Sequence, residues 1–157
     1  MSFDLFLNHF EAGEPAPADR AKVLGVLREY SRVPNESGAY NVEFSDGSHV
    51  EFLAKLESEE EFTGCAFPMH GFSPLIITFV FKVAVAGEMV IFNAQGNGTP
   101  ENPLCIIPAP SQLPHLPSGL GSAYTPFPCT SPEHLWQLLG MGFDDWSEYR
   151  DHVVGGR

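Results

Sequence analysis

The longest apolar run of the chain lies near its middle and predicts the helix around which the core forms. Ser73 is a favourable N-cap, Pro74 suits the first helical position, and Gly87 suits a left-handed residue past the helix end. A strand over residues 75–86 is the alternative that the β-branched residues favour, but it would have about twice the usual length. We therefore predict a helix over residues 74–86. The residues predicted to face the core are Ile76, Phe79, Val80, Val83 and Gly87.

Alternating apolar and polar residues predict strands on both sides of this helix. Residues 2–10 alternate, and so do residues 62–70. Residues 88–94 contain a continuous apolar run, which is typical of a strand buried on both faces. A further short strand is predicted at residues 104–107.

Residues 40–56 predict a β-hairpin, and the pattern also predicts its register. A two-residue turn would mix apolar and charged side chains on each face. A three-residue loop that ends with Gly47 in the left-handed conformation separates the faces. This register places Glu43 opposite His49 and puts Glu51 on the same polar face.

The remaining segments predict helices and irregular coverage. One helix covers residues 18–30, and residues 33–38 form its exit loop. Another begins after Ser131 and ends near Gly140 or Gly142, followed by a short helix that carries Phe143 and Trp146.

These elements together predict the fold class. Residues 1–157 form a single α+β domain, with a mainly antiparallel sheet of about five strands and helices packed on it. Residues 96–130 contain more than half of the 14 prolines and form a long irregular segment that wraps over a surface or carries function.

Charge and cysteine usage restrict the classes of partner. The chain has 20 acidic and 8 basic residues and a net charge of −12, which would repel nucleic acid and attract a basic protein partner. Its three cysteines show no CxxC pair, so we expect neither a disulfide framework nor a zinc site. No positively charged leader or membrane-spanning run is visible, which predicts a cytoplasmic protein without a membrane partner.

The strongest site candidates surround the start of the central helix. His70 and Ser73 stand where exposed amides could hold an anion, although both residues also suit a simple chain reversal. Glu43, His49 and Glu51 on the hairpin could form a cluster with His70 or with His115. A solvated face with a cross-strand Glu43–His49 pair is the simpler interpretation, and we expect no metal and no cofactor.

No catalytic motif is present, so the catalytic residues stay unassigned. GxSxG is absent, and Cys65 lies in an apolar strand where it is typical of a small core residue. Tyr124 and Phe127 in the proline-rich segment either line a groove for a partner or pin that segment to the sheet.

Three stretches carry a resemblance to a known family. They are the opening Met1-Ser-Phe-Asp-Leu-Phe-Leu7, the helix start Phe72-Ser-Pro74 and the turn Ala86-Gly-Glu-Met-Val-Ile91. Together they resemble uncharacterised small acidic bacterial proteins that begin MSFDxFL and have no assigned activity. Some small acidic bacterial proteins of this kind resemble immunity proteins that mask toxins, and this resemblance implies a protein partner.

The leading functional hypothesis is therefore a non-enzymatic, immunity-like module that binds a protein through an acidic surface. The alternative is a small enzyme or ligand-binding protein with a pocket between the sheet, His70 and the proline-rich segment. A deep pocket that gathers His49, His70, His115 and a carboxylate would favour the alternative.

Overall fold

A mixed sheet with helices on one face forms the framework of the computed structural model, which describes residues 2–140. The elements in chain order are β1 (Phe3–Asn8), β2 (Phe10–Glu11), β3 (Glu14–Pro15), α1 (Arg20–Leu27), β4 (Ser31–Pro34), β5 (Ala39–Glu43), β6 (His49–Leu53), β7 (Gly64–Met69), α2 (Pro74–Ala86), β8 (Val90–Asn93), β9 (Cys105–Ile107) and β10 (Pro126–Pro128). Two 3₁₀ helices, Pro110–His115 and Ser122–Tyr124, precede β10, and residues 132–140 are helical.

Eight strands form the main sheet, in the order β10-β9-β8-β1-β7-β6-β5-β4. Neighbouring strands are antiparallel, except that β9 and β10 are parallel, while β2 and β3 pair separately. The predicted α+β class with a mainly antiparallel sheet is confirmed, but the predicted number of about five strands is wrong. The strand β4 includes Val33 and Pro34, which the sequence assigns to an exit loop, and β10 begins and ends with prolines, which carry no strand pattern of their own.

Helix α2 is the buried helix that the sequence predicts. The Ser73 hydroxyl accepts a hydrogen bond from the Ile76 amide at 3.2 Å, and Pro74 occupies the first turn. The ring of Phe79 packs edge-on against Phe52 and Phe67, with ring centroids 5.5 and 5.9 Å apart. The strand alternative for this segment is therefore wrong. The predicted inward-facing residues are all buried, namely Ile76, Phe79, Val80, Val83 and Gly87.

The end of α2 differs from the prediction in one respect. Gly87 has a φ of −89°, and the left-handed conformation falls on the next residue, Glu88, with a φ of 48°. Gly87 instead provides space, since a Cβ at that position would lie 2.7 Å from Cε of Met89 and 3.1 Å from Cγ2 of Val23.

The hairpin has the predicted register. The Phe44 amide donates to the Ser48 carbonyl at 2.9 Å, and Gly47 has a φ of 84°. Glu43 lies opposite His49 in the strand ladder, as the three-residue loop requires. The side chains of β5 and β6 therefore separate into a buried face and a solvent face.

The two faces of the main sheet are covered differently. The inner face packs on α1 and α2, and it contributes Leu5 and Phe67 to the main core. The outer face is covered at β8 and β9 by the proline-rich segment, whose Gln112 is buried. The Gln112 side chain accepts from the Phe10 amide at 2.9 Å and donates to the Phe10 carbonyl at 3.1 Å, as a neighbouring strand would. This amide fastens the 3₁₀ helix Pro110–His115 to β2.

The helix predicted after Ser131 is present as far as the structure describes it. Leu135 and Leu139 are buried, and the Trp136 ring stacks on Phe72 with centroids 4.7 Å apart. Its predicted end near Gly140 or Gly142 and the short helix that carries Phe143 and Trp146 fall at or beyond the limit of the described residues. Within residues 2–140, no helix has the length and hydropathy needed to cross a membrane.

Candidate functional site

The outward-pointing side chains of β1, β7, β6, β5 and β4 form a broad surface, which we call the open face. The strand registers align these side chains in rows across the sheet. Phe6 is 44% exposed and Leu53 is 37% exposed, which is unusual for large apolar side chains in the middle of a sheet. The positions that point outward are Asp4, Phe6, Asn8, Ser31, Val33, Ala39, Asn41, Glu43, His49, Glu51, Leu53, Gly64, Ala66 and Pro68.

One row of the open face is apolar from strand to strand. In the ladder Phe6 lies beside Phe92 and Ala66, Ala66 lies beside Leu53, and Leu53 lies beside Ala39. We call these five residues the apolar row. Both ends of the row are covered, because the Tyr124 ring packs edge-on against Phe92 at 6.2 Å and Ala39 is 2% exposed, so its exposed part is Phe6, Ala66 and Leu53.

Carboxylates flank the apolar row on both sides. Asp4 and Glu51 lie in the neighbouring row on one side, opposite Pro68 and Asn41 in the strand ladders. On the other side, Glu60 and Glu61 line a cleft of about 340 Å³ together with Leu53 and Ala39. Three of the outward positions on the five described strands carry a carboxylate, and none carries lysine or arginine. Lys55 is the basic side chain that lines the cleft.

A second feature is a groove of about 370 Å³ that contains two histidines and lies where the hairpin turn meets the start of α2. His49 and Glu51 line it from β6, and His70 lines it from the loop before α2. Pro68, Phe72 and Ile76 supply its apolar walls. We call it the histidine groove.

A chain of hydrogen bonds runs beside this groove from the hairpin turn to the start of α2. The Ser48 amide donates to the Asp46 carboxylate at 2.9 Å, and the Ser48 hydroxyl also donates to it. Because the Ser48 proton is used in this way, the Ser73 hydroxyl donates to Ser48 across 3.0 Å. Ser73 in turn accepts from the Ile76 amide. The hydrogen bonds from Ser48, that of its side chain first and that of its amide next, hold the pKa of Asp46 below its ordinary value.

The structure brings together most of the predicted site residues. His49, Glu51 and His70 line the histidine groove, and Glu43 lies opposite His49 on the neighbouring strand. Ser73 lies next to the groove through its hydrogen bond with Ser48, where it caps α2.

His115 lies elsewhere, so it does not belong to this group. Its Nδ1 accepts from the Ala12 amide at 3.1 Å, and its carbonyl accepts from the Gly13 amide at 3.0 Å. These bonds attach the proline-rich segment to the β2–β3 turn. The groove that contains His70 is lined by the hairpin, by β7 and by the start of α2, and none of its lining residues comes from residues 96–130.

The described residues contain no group of three or more histidine, cysteine, aspartate or glutamate side chains that could hold a metal ion. The three cysteines are free and buried. Burial raises the pKa of the Cys65 thiol far above its usual range, and it raises the pKa of Cys105 and Cys129 to about 11. Protonated, buried thiols are poor nucleophiles at neutral pH.

The apolar row is not among the site residues that the sequence predicts. The available signal was Phe6, which falls on the polar side of the alternation in the first strand, between Asp4 and Asn8. An apolar residue at such a position indicates a second contact surface once the strand is known to lie in the middle of a sheet.

Comparison with family models, with curated proteins and with solved structures gives no match to this chain.

Proposed function

We propose that this chain is a non-enzymatic protein-binding module, immunity-like in the way it masks a partner, and that its open face holds a basic surface of that partner. The observation that carries the proposal is the apolar row with carboxylates on both flanks. It joins an apolar contact area to negative charge on one continuous face of the sheet.

The apolar side chains and the carboxylates have different roles in the proposed binding. Burial of Phe6 and Leu53 on contact removes apolar surface from water, which supplies the affinity. The carboxylates of Asp4 and Glu51, within a net charge of −12, accelerate the approach of a basic partner and select against acidic ones.

The histidine groove supports a second candidate function, the binding of a small polar ligand. Its volume of about 370 Å³ lies within the range of ligand pockets, and His49, Glu51 and His70 supply polar groups on its walls. Titration of a small-molecule library by NMR tests this candidate, and shifts confined to the groove would support it over the protein-binding proposal.

The protein-binding proposal is tested by affinity capture from cells of the source organism with three immobilised baits. They are the wild-type chain, the double variant Phe6→Ser/Leu53→Ser, and the control Val85→Ser/Leu113→Ser, which alters exposed apolar residues away from the apolar row. We expect a basic protein that the wild type and the control retain and the double variant loses. Its purified form should bind the wild type with an affinity that falls as salt rises.

Two further baits keep the test valid if the double variant is poorly folded. Asp4→Asn and Glu51→Gln remove charge without adding or removing bulk, so they should weaken capture while the far-UV circular dichroism stays unchanged. Equal retention of the same proteins by all baits, or an affinity independent of salt, would contradict the proposal.

A further inference from the structure

We infer that the element seated on the apolar row is an amphipathic, cationic α-helix of the partner. This inference rests on the proposed function and specifies the partner's chemistry. The exposed part of the apolar row, from Phe6 through Ala66 to Leu53, crosses three strands at a spacing of about 4.8 Å, so it is about 10 Å long. A helix rises about 5.4 Å per turn, so about two turns of helix span this length.

The spacing of the row favours a helix over an extended segment. In a helix, apolar residues at i, i+4, i+7 and i+11 repeat about once per turn, close to the distance between neighbouring strands. In an extended segment, side chains on one face repeat about every 6.7 Å, so they fall out of step with the strands. A helix can therefore place one apolar side chain near each of Phe6, Ala66 and Leu53 in turn.

The flanking charges specify the polar positions of that helix. Asp4 and Glu51 border the row on one side, and Glu60 and Glu61 border the Leu53 end on the other. Lysine or arginine on both sides of an apolar stripe would meet these carboxylates. A second copy of this chain is a poorer occupant, because two chains with a net charge of −12 repel each other.

A synthetic helix tests the inference directly. The probe is a fluorescein-labelled peptide of about 14 residues, with leucines at helical spacing and lysines on both flanks of that stripe. Three control peptides share its length: one has the same composition in scrambled order, one has glutamate in place of lysine, and one has a central proline. Affinity is measured by fluorescence anisotropy, and the contact surface is mapped by amide chemical shifts of the ¹⁵N-labelled chain.

We expect the lysine peptide to bind at least about tenfold more tightly than each control peptide. The variant Phe6→Ser/Leu53→Ser should lose about tenfold or more, while Val85→Ser/Leu113→Ser should match the wild type. The shifts should fall on β1, β7 and β6. Glu51→Gln provides a second, bulk-conserving variant, which should weaken binding most at low salt.

Equal affinity for the scrambled or proline peptide, or shifts confined to the α1 and α2 side of the sheet, would overturn the inference. Concentration-dependent dimerisation that Phe6→Ser/Leu53→Ser abolishes would also overturn it, because the row would then be occupied by a second copy. The proposed function fails separately, when protein capture does not depend on Phe6 and Leu53. A failed peptide test with intact partner capture therefore rejects only the helix.

Discussion

Gly25 lies within α1 and Gly87 directly follows α2, and the two glycines differ in the space around them. Gly25 is exposed within α1, and a Cβ there would meet no atom within 4 Å. Gly87 is buried beside Val23 and Met89, where a Cβ would require both neighbours to move. Neither residue has a positive φ, so the difference between them is one of space.

Alanine substitutions should therefore change the free energy of unfolding in opposite directions. Gly25→Ala should raise it by about 0.5–1 kcal/mol, because alanine loses less backbone entropy in a helix. Gly87→Ala should lower it by about 1–3 kcal/mol, because the added methyl group overpacks the contact with Met89. Urea denaturation measures both changes. A neutral or stabilising Gly87→Ala would show that Met89 moves aside without cost.

At the scale of elements, the hydrogen bonds from Asp46 through Ser48 to Ser73 join the hairpin turn to the first turn of α2. The Ile76 amide donates at one end and the Asp46 carboxylate accepts at the other, so all donors point the same way along the chain of bonds. Each bond therefore strengthens the next. The predicted site residue Ser73 is thus explained by its structural contacts, as an N-cap that also connects two elements.

The contribution of Asp46 to stability should depend on pH. Its pKa is lower in the folded protein than its ordinary value, so its stabilising effect is present at neutral pH and is lost as pH falls through the folded pKa. The difference in unfolding free energy between the wild type and Asp46→Asn should therefore shrink below about pH 4. Chemical denaturation of both proteins between pH 7 and pH 2 measures this difference. A constant difference would show that the carboxylate charge has no role in the chain of hydrogen bonds.

The elements that could be predicted from the sequence are those whose own residues contain both the boundary signals and the apolar pattern. Helix α2 has a cap, a proline and a periodic stripe, and the hairpin register follows from the need to separate apolar and charged faces. The edge strand β4 has four exposed residues, so nothing in its own pattern distinguishes it from a loop. Its strand conformation comes from pairing with β5, which is a tertiary interaction.

The difference between local patterns and tertiary interactions also explains which site residues could be predicted. His49 and Glu51 share a face by alternation, and His70 follows the strand that pairs with theirs. The position of His115 depends on where a long irregular segment folds back, and no local pattern encodes that path. The apolar row depends on the order of five strands, so no single strand reveals it.

At the scale of the whole molecule, the three buried thiols report on the integrity of the core. Cys65 belongs to the main cluster of buried residues, whereas Cys105 belongs to the smaller cluster under the proline-rich segment. Cys129 donates a hydrogen bond to the Ser131 carbonyl at 3.4 Å, next to the start of the last described helix. Thiol reagents should therefore reach these three positions only when the regions around them open.

Alkaline pH should destabilise the fold through all three thiols, because burial raises the pKa of each. Burial raises the pKa of Cys105 and Cys129 to about 11, whereas an unfolded thiol titrates near about 8.5. A raised folded pKa contributes stability that is complete below the unfolded value and is lost as pH rises through the folded one. The free energy of unfolding should thus fall between about pH 9 and pH 11. The double variant Cys105→Ala/Cys129→Ala should show a smaller fall over the same range, and an equal fall would assign the effect to other groups, such as Cys65 and Tyr40, whose pKa values burial also raises.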